Sequence, residues 1–581
     1  MDISDSQPRC RSGRDLVGTL DPAAVQTMLD THVLGLIKLS QEALPDMCKR
    51  NVGSPAEHRR DECRLFTTQE FRKYKRANTV LLMMDSGKME LSESLVNTCI
   101  EITVQNHPEL VFLYFPPNIN LFRLLDPVVC LGLCALSSPF LEKSPENSEF
   151  IAAFEAKLLE KLDDKVSMDY LVLLQASVIW LLLNWQTGKT NKGYLFGGFA
   201  DRVYTTLTKQ KNAGSSLIEQ ELYIRSIWAY QLTCLSLREG YTDGRARLTK
   251  YRLPVSNKDL LFGHMGPSKY LSDINLSQTS ELFYLFVYAT DIWTDSNTWI
   301  FKGGRNHYRE APWNPASKWH SLNMRIESLE AQLGPKEKFS LSNLEAYFSL
   351  GEGTIFCYLH LGILISKILI RRNYFPFVPL DHTGPKGPHP LPKELCGAPK
   401  GWWRENAHTV FDCSRTIATI FDELQKRKKL FCNSYSGYCG LTAASMLIYA
   451  HNFPSYDPTF RDADLYYQYC LNFLKFYKAH WELGSYYYDF LQHTRRMLEA
   501  AASNRIEISS ISAFENMKDE LIEVANVAAP LPKTDRLNIE SLLRSPKVPN
   551  SPAEDLDWLS ANMAWDFGWS NLGATFTDYM C

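Results

Sequence analysis

The chain has 581 residues, long enough to bury more than one core's worth of apolar surface. An apolar content of 45% with 22% charged residues is that of a globular protein, not of a disordered or fibrous one. Lys and Arg number 62 against 65 Asp and Glu, a net charge of −3, so no global basic excess marks a dedicated nucleic-acid binder.

The first residues, MDISDSQPRCRSGRDL, hold no apolar run and do not read as a secretory signal. Ala23–Leu39 has helical spacing, and the polar stretch Asn51–Arg64 reads as a loop before the main body. Next comes a basic run, Arg72 to Arg76, a weak candidate for a nuclear-import signal. Leu171–Leu183 is apolar nearly all round, so it is expected in the middle of a helical array. Similar patterns recur at Ser280–Trp293, Phe356–Leu369, Val410–Leu424 and Leu465–Trp481, while alternating strand patterns are scarce. Leu171–Leu183 and Leu359–Ile370 are the longest apolar runs, and both fall short of a bilayer span. The expected fold is therefore an all-α, multi-helix body with no membrane partner. Leu380–Gly401, dense in Pro and Gly, reads as an ordered surface connection between helical layers, and the proline-rich Ala529–Pro552 as a flexible tether.

A zinc cluster needs closely spaced thiolates with Cys-x-x-Cys pairs, and no such pair occurs among the fourteen cysteines. They read as buried free thiols of a reducing compartment. Gly188-Lys189-Thr190 resembles the end of a phosphate loop, but Leu183 stands where that motif needs glycine, so Gly188 is expected in a turn after a buried helix. His360 lies within an apolar helix and reads as a satisfied core histidine. Lys426 to Lys429 follows a helical segment and reads as a solvated helix end that complements the dipole. No catalytic, cofactor-binding or metal-ligating residues are assigned, and no cofactor is expected.

The last segment carries more signal. After Lys547 no Lys or Arg follows, and Glu554, Asp555, Asp557, Asp566 and Asp578 alternate with aromatic residues. On a helix Trp558, Trp565 and Trp569 would share one face, and Phe567 is counted with them in the candidate activation segment. Acidic charge that keeps aromatics soluble until an apolar groove takes them is the pattern of an activation segment. The competing reading packs these tryptophans back onto the body.

Several motifs come in a fixed order: PPNINLFRLLDPVVCLGLCALSS, LLQASVIWLLLNWQTGK, RSIWAYQLTCLSLREG with YRLPVSNKDLLFG, then NYFPFVP, GPKGP, GWW and NFPSYDP. This set, over roughly Leu110 to Leu491, resembles the middle homology region of fungal-specific transcription factors, the regulatory body of zinc-cluster regulators. The resemblance implies a nuclear regulator of transcription, not an enzyme, in a pathway such as specialised metabolism. Four parts are expected: an N-terminal extension (1–64), the all-α regulatory domain (65–528), a Pro-rich linker (529–552) and an acidic-aromatic tail (553–581). The tail would contact the transcription machinery or a coactivator. DNA would be reached through a partner or a zinc-cluster head that the chain lacks, and dimerisation or small-molecule sensing stays open for the body. Cys234-Leu235 stands where the family carries an Asp-Arg pair, which implies apolar packing in place of a charged contact. The rival readings are an all-α biosynthetic enzyme and a helical scaffold.

Overall fold

The computed structural model describes residues 91–141, 147–163, 169–210, 216–237, 251–264, 269–273, 281–376, 384–388 and 391–503. All of them belong to the unit Lys88–Cys581. In chain order the helices are α1 (Glu93–Asn106), α2 (Leu121–Leu124), α3 (Pro127–Ser137), α4 (Asn147–Asp163), α5 (Tyr170–Gln186), α6 (Thr190–Leu207), α7 (Leu217–Leu237), α8 (Asn257–Leu261), α9 (Leu282–Phe301), α10 (Gly304–His307), α11 (Lys318–Gln332), α12 (Leu341–Ser349), α13 (Gly353–Arg372), α14 (Trp402–Lys426), α15 (Ser434–Asn452), α16 (Ala463–His480) and α17 (Glu482–Ala502). Among the described residues, strand pairing is limited to an isolated antiparallel bridge between Arg252 and Tyr270. The all-α expectation holds.

Local signals set the helix starts. Ser92, Asp126, Asp169, Ser317 and Ser340 each accept a backbone N–H from the first turn of the helix that follows, satisfying donors that have no intrahelical partner. Pro127 occupies the first position of α3, where a missing N–H costs nothing. Asn433 and Ser436 form a reciprocal capping box at the start of α15.

Helices α1, α3, α4 and α5 pack together, with α6 along α5 and α7 against α5 and the 3₁₀ turn Val111–Leu113. Helices α14 to α17 form a second bundle, and the α9–α13 pair lies between the two sets, with α13 also touching α11, α12, α14 and α15. The apolar runs read from the sequence fall on α5, α9, α13, α14 and α16; Trp481, the last residue of one, follows α16, and Ser280, the first of another, lies outside the described residues. Leu173 to Asn184 of α5 are buried without a break, as a helix apolar all round demands. The run read as Leu359–Ile370 is the middle of a longer helix. By length and composition α13 could cross a bilayer, with a mean hydropathy of 1.8, yet 83% of that stretch is buried inside the protein.

Close approach in the second bundle depends on two glycines. A Cβ on Gly437 would lie 2.4 Å from Tyr477, and one on Gly440 would lie 2.8 Å from Phe473. Tyr477 and Phe473 of α16 therefore rest directly on the backbone of α15. The expected helix at 23–39, the basic run at 72–76 and the boundaries at 64, 528 and 552 lie outside the described residues.

Candidate functional site

The motifs that follow α13 converge on one aromatic junction. Phe375 packs against Phe411 of α14, Tyr449 of α15 and Tyr456, with ring centroids 6.0, 5.5 and 6.0 Å away. Trp402 sits among Trp313, Trp319, Tyr374 and Trp403, all within 5.9 Å. Gly387 has φ +93°, and a Cβ there would meet Trp403 at 2.7 Å, so the Pro/Gly loop crosses the tryptophan where only glycine fits. Beside this junction the buried Asp457 accepts the Thr459 amide (3.0 Å), the Thr459 hydroxyl (2.6 Å) and His408 Nδ1 (2.7 Å). Burial raises the Asp457 pKa, but the Thr459 and His408 hydrogen bonds outweigh it and hold the carboxyl below its usual range. NYFP (373–376), GPKGP, GWW and NFPSYDP thus fasten α13, α14 and α15 to one another, while 377–379 lie outside the described residues.

A second device links α7 to the segment after it. Glu221 is fully buried and bonds Arg225 Nε at 3.1 Å one turn later. Its other oxygen meets Arg252 at 2.5 Å, and the Val255 amide donates at 3.1 Å to the oxygen that bonds Arg225. Arg225 reaches on to the Val255 carbonyl (2.7 Å) and Asn257 Oδ1 (3.1 Å), with its guanidinium over the Phe115 ring at 4.5 Å. Burial pulls the Arg225 pKa down, and Glu221 opposes that pull. Trp228 Nε1 donates to the Arg252 carbonyl at 2.8 Å. The YRLPVSN loop is therefore clamped to α7 by a buried, nearly saturated ion cluster. Sequence reading missed it, although the Glu221/Arg225 spacing of one helical turn was its visible half. Nearby, Cys234 is half-buried and packs on the core, in keeping with apolar packing at that place; the Leu235 side chain lies outside the described residues.

The third feature is internal. Asn106, at the end of α1, accepts the Cys432 amide on its side chain (2.8 Å), while its carbonyl accepts Asn433 Nδ2 (2.9 Å) and the Tyr358 hydroxyl (3.3 Å). Adjacent to this knot a crevice of about 10 Å³, room for roughly one water, is lined by Glu109, Leu182, Thr290, Trp293, Tyr358 and Tyr435 among others. Glu109 is 6% exposed and bonds His107 Nδ1 at 2.9 Å. Among the described residues the buried Trp293 Nε1 has no hydrogen-bond partner. Burial first, then the negative charge of Glu109, push the phenols of Tyr358 and Tyr114 well above their usual range.

This chain is similar to a known regulator. The Zn(2)-C6 fungal-type transcription factor FTF1c of Fusarium oxysporum f. sp. lycopersici is 20% identical to it over 363 residues. The match takes in 56% of this chain and 37% of that protein, so the chain spans little more than a third of the relative it matches. No family model matches the chain. No solved structure matches it.

Among the described residues no group of three His, Cys, Asp or Glu side chains gathers as a metal site. His360 is 5% exposed, bonds the Glu337 carbonyl through Nε2 at 2.9 Å and lies edge-on to Phe356, the satisfied core histidine expected of it. Gly188 takes φ +68° in the turn that ends α5, again as read. In the basic run after α14, Lys426 pairs with Asp422 and Glu423, and Arg427 with Glu345 and Glu423, so those two cations belong to a helix end. The four tail residues singled out, Trp558, Trp565, Phe567 and Trp569, lie outside the described residues.

Proposed function

We propose that the chain is a transcriptional regulator of a fungus, working in the nucleus and without catalytic activity of its own. The observation that carries this reading is the likeness to a fungal zinc-cluster transcription factor over 363 residues. The ordered motifs that gather at one aromatic junction support it, because they account for the family pattern as the fastening of a helical body. Within this reading 65–528 is the regulatory body, 1–64 an extension, 529–552 a tether and 553–581 the segment that engages the transcription machinery or a coactivator. DNA is reached through a partner or through a zinc-cluster segment outside these 581 residues, since no Cys-x-x-Cys pair occurs within them. Control of a specialised-metabolite gene cluster rests on the family resemblance.

The tail assignment is tested by fusing 553–581 to a foreign DNA-binding domain. Reporter activity that falls when Trp558, Trp565 and Trp569 are replaced by Ala is the expected result. A silent fusion, or one indifferent to those replacements, refutes it.

A further inference from the structure

We propose that Cys99 of α1 and Cys134 of α3 form a redox switch, in which hydrogen peroxide joins the two free thiols in a disulfide that ties one helix to the other. Hydrogen bonds fix the register of the two helices at this point. Ser137, one turn after Cys134, donates its hydroxyl to the Cys99 carbonyl at 2.8 Å. The same hydroxyl pairs at 2.9 Å with that of Thr103, one turn after Cys99. Both cysteines lie on the contact faces, each 0% exposed, and their thiols hydrogen-bond to each other. Sulfurs already in contact need only close to about 2 Å for the bond to form. The third thiol of the cluster, Cys130, sits one turn before Cys134 and turns to the Leu125 carbonyl at 4.0 Å.

The contact gives the pair unequal roles. The hydrogen bond from Cys134 holds the Cys99 thiol below its usual pKa range, with burial opposing and Ser137 assisting. The bond to Cys99, then burial, push the Cys134 thiol up. Cys99 therefore ionises first and is the nucleophile. Peroxide reaches it through local opening of α1, whose Asn97, Thr98 and Glu101 already face solvent. The thiolate takes one oxygen of the peroxide, the O–O bond breaks, and the departing hydroxide becomes water with the proton that Cys99 gave up. Cys134 then attacks the sulfenic sulfur, the S–O bond breaks, and the oxygen leaves as a second water with the Cys134 proton. The two sulfurs lose two electrons and the peroxide gains them. In a reducing compartment such a bond is transient and acts as a signal. Reading that signal as control of transcription rests on the regulator reading; formation of the bond does not.

The test treats the folded full chain with hydrogen peroxide, blocks the remaining thiols with iodoacetamide and maps disulfides by mass spectrometry of a non-reduced digest, with fragmentation to tell Cys134 from Cys130. A peptide linking Cys99 to Cys134, lost on treatment with dithiothreitol, is the expected result. Cys134→Ser removes the resolving thiol, so dimedone, which traps sulfenic acid, should label Cys99 in the variant and not in the wild type. Linkage to Cys130 instead, no linkage at a dose that oxidises the exposed Cys396, or linkage only after unfolding in urea overturns the proposal, and none of these outcomes needs a variant to fold. A folded Cys134→Ser protein without the label overturns it as well.

Discussion

His360 gives the chain a pH dependence whose size follows from its surroundings. Burial lowers its pKa from 6.5 to about 4, against the smaller opposing pull of the Glu337 carbonyl. The unfolded chain takes up a proton as pH falls through 6.5, whereas the folded chain takes it up only near pH 4. Stability from this group is therefore complete above pH 6.5 and drains away as pH falls toward 4. Between pH 7 and pH 5 the linkage relation gives a loss of about 2 kcal/mol. His360→Gln keeps an N–H for the Glu337 carbonyl but cannot titrate. Urea unfolding of both proteins at pH 7, 6 and 5, followed by tryptophan fluorescence, isolates the term, because every other group is common to the two chains. The wild type should lose about 2 kcal/mol more than the variant over that range. Parallel pH profiles would show that the imidazole is not held neutral in the core, and the reasoning would fail.

Three further outcomes are expected. Glu221→Gln leaves the buried Arg225 and the half-buried Arg252 against a neutral partner and should cost about 3–5 kcal/mol in chemical denaturation, while Glu221→Leu combined with Arg225→Leu should cost less than the sum of the two single changes. Gly437→Ala drives a methyl into Tyr477 and should cost about 1–3 kcal/mol by calorimetry, whereas Gly198→Ala, with nothing within 4 Å of the new methyl, should not destabilise. Asp457→Ala removes hydrogen bonds whose donors on the exposed Thr459 can turn to water, and should cost about 0.5–1.5 kcal/mol at pH 7; its depressed carboxyl contributes stability that is present above the ordinary Asp value of about 3.8 and lost as pH falls below it, so the acid limb of the unfolding profile should flatten in the variant.

The helical class was legible because α5 and α13 announce themselves as long apolar runs, and burial on every side is the only stable use of such a run. The satisfied His360 and the turn at Gly188 were legible for the same reason: their neighbours left no chemistry for them. What the motifs do physically was not. Trp402 meets Trp313 and Trp319, and Phe375 meets Tyr456, contacts between side chains far apart in sequence that no periodicity reports. The Glu221 cluster was half visible, since Arg225 follows by one helical turn, but Arg252 joins only when the chain folds back. The crevice was hidden altogether. It gathers side chains from four helices and the segment after α1, beside a hydrogen bond spanning 327 positions between Asn433 and Asn106.

The central claim, that this chain regulates transcription, is tested most directly by comparing transcripts between a strain that carries the gene and one from which it is deleted, with a fluorescent tag reporting location in the same background. A nuclear protein and a defined set of genes whose transcripts change on deletion are the expected result. A protein outside the nucleus together with an unchanged transcript profile would contradict the claim.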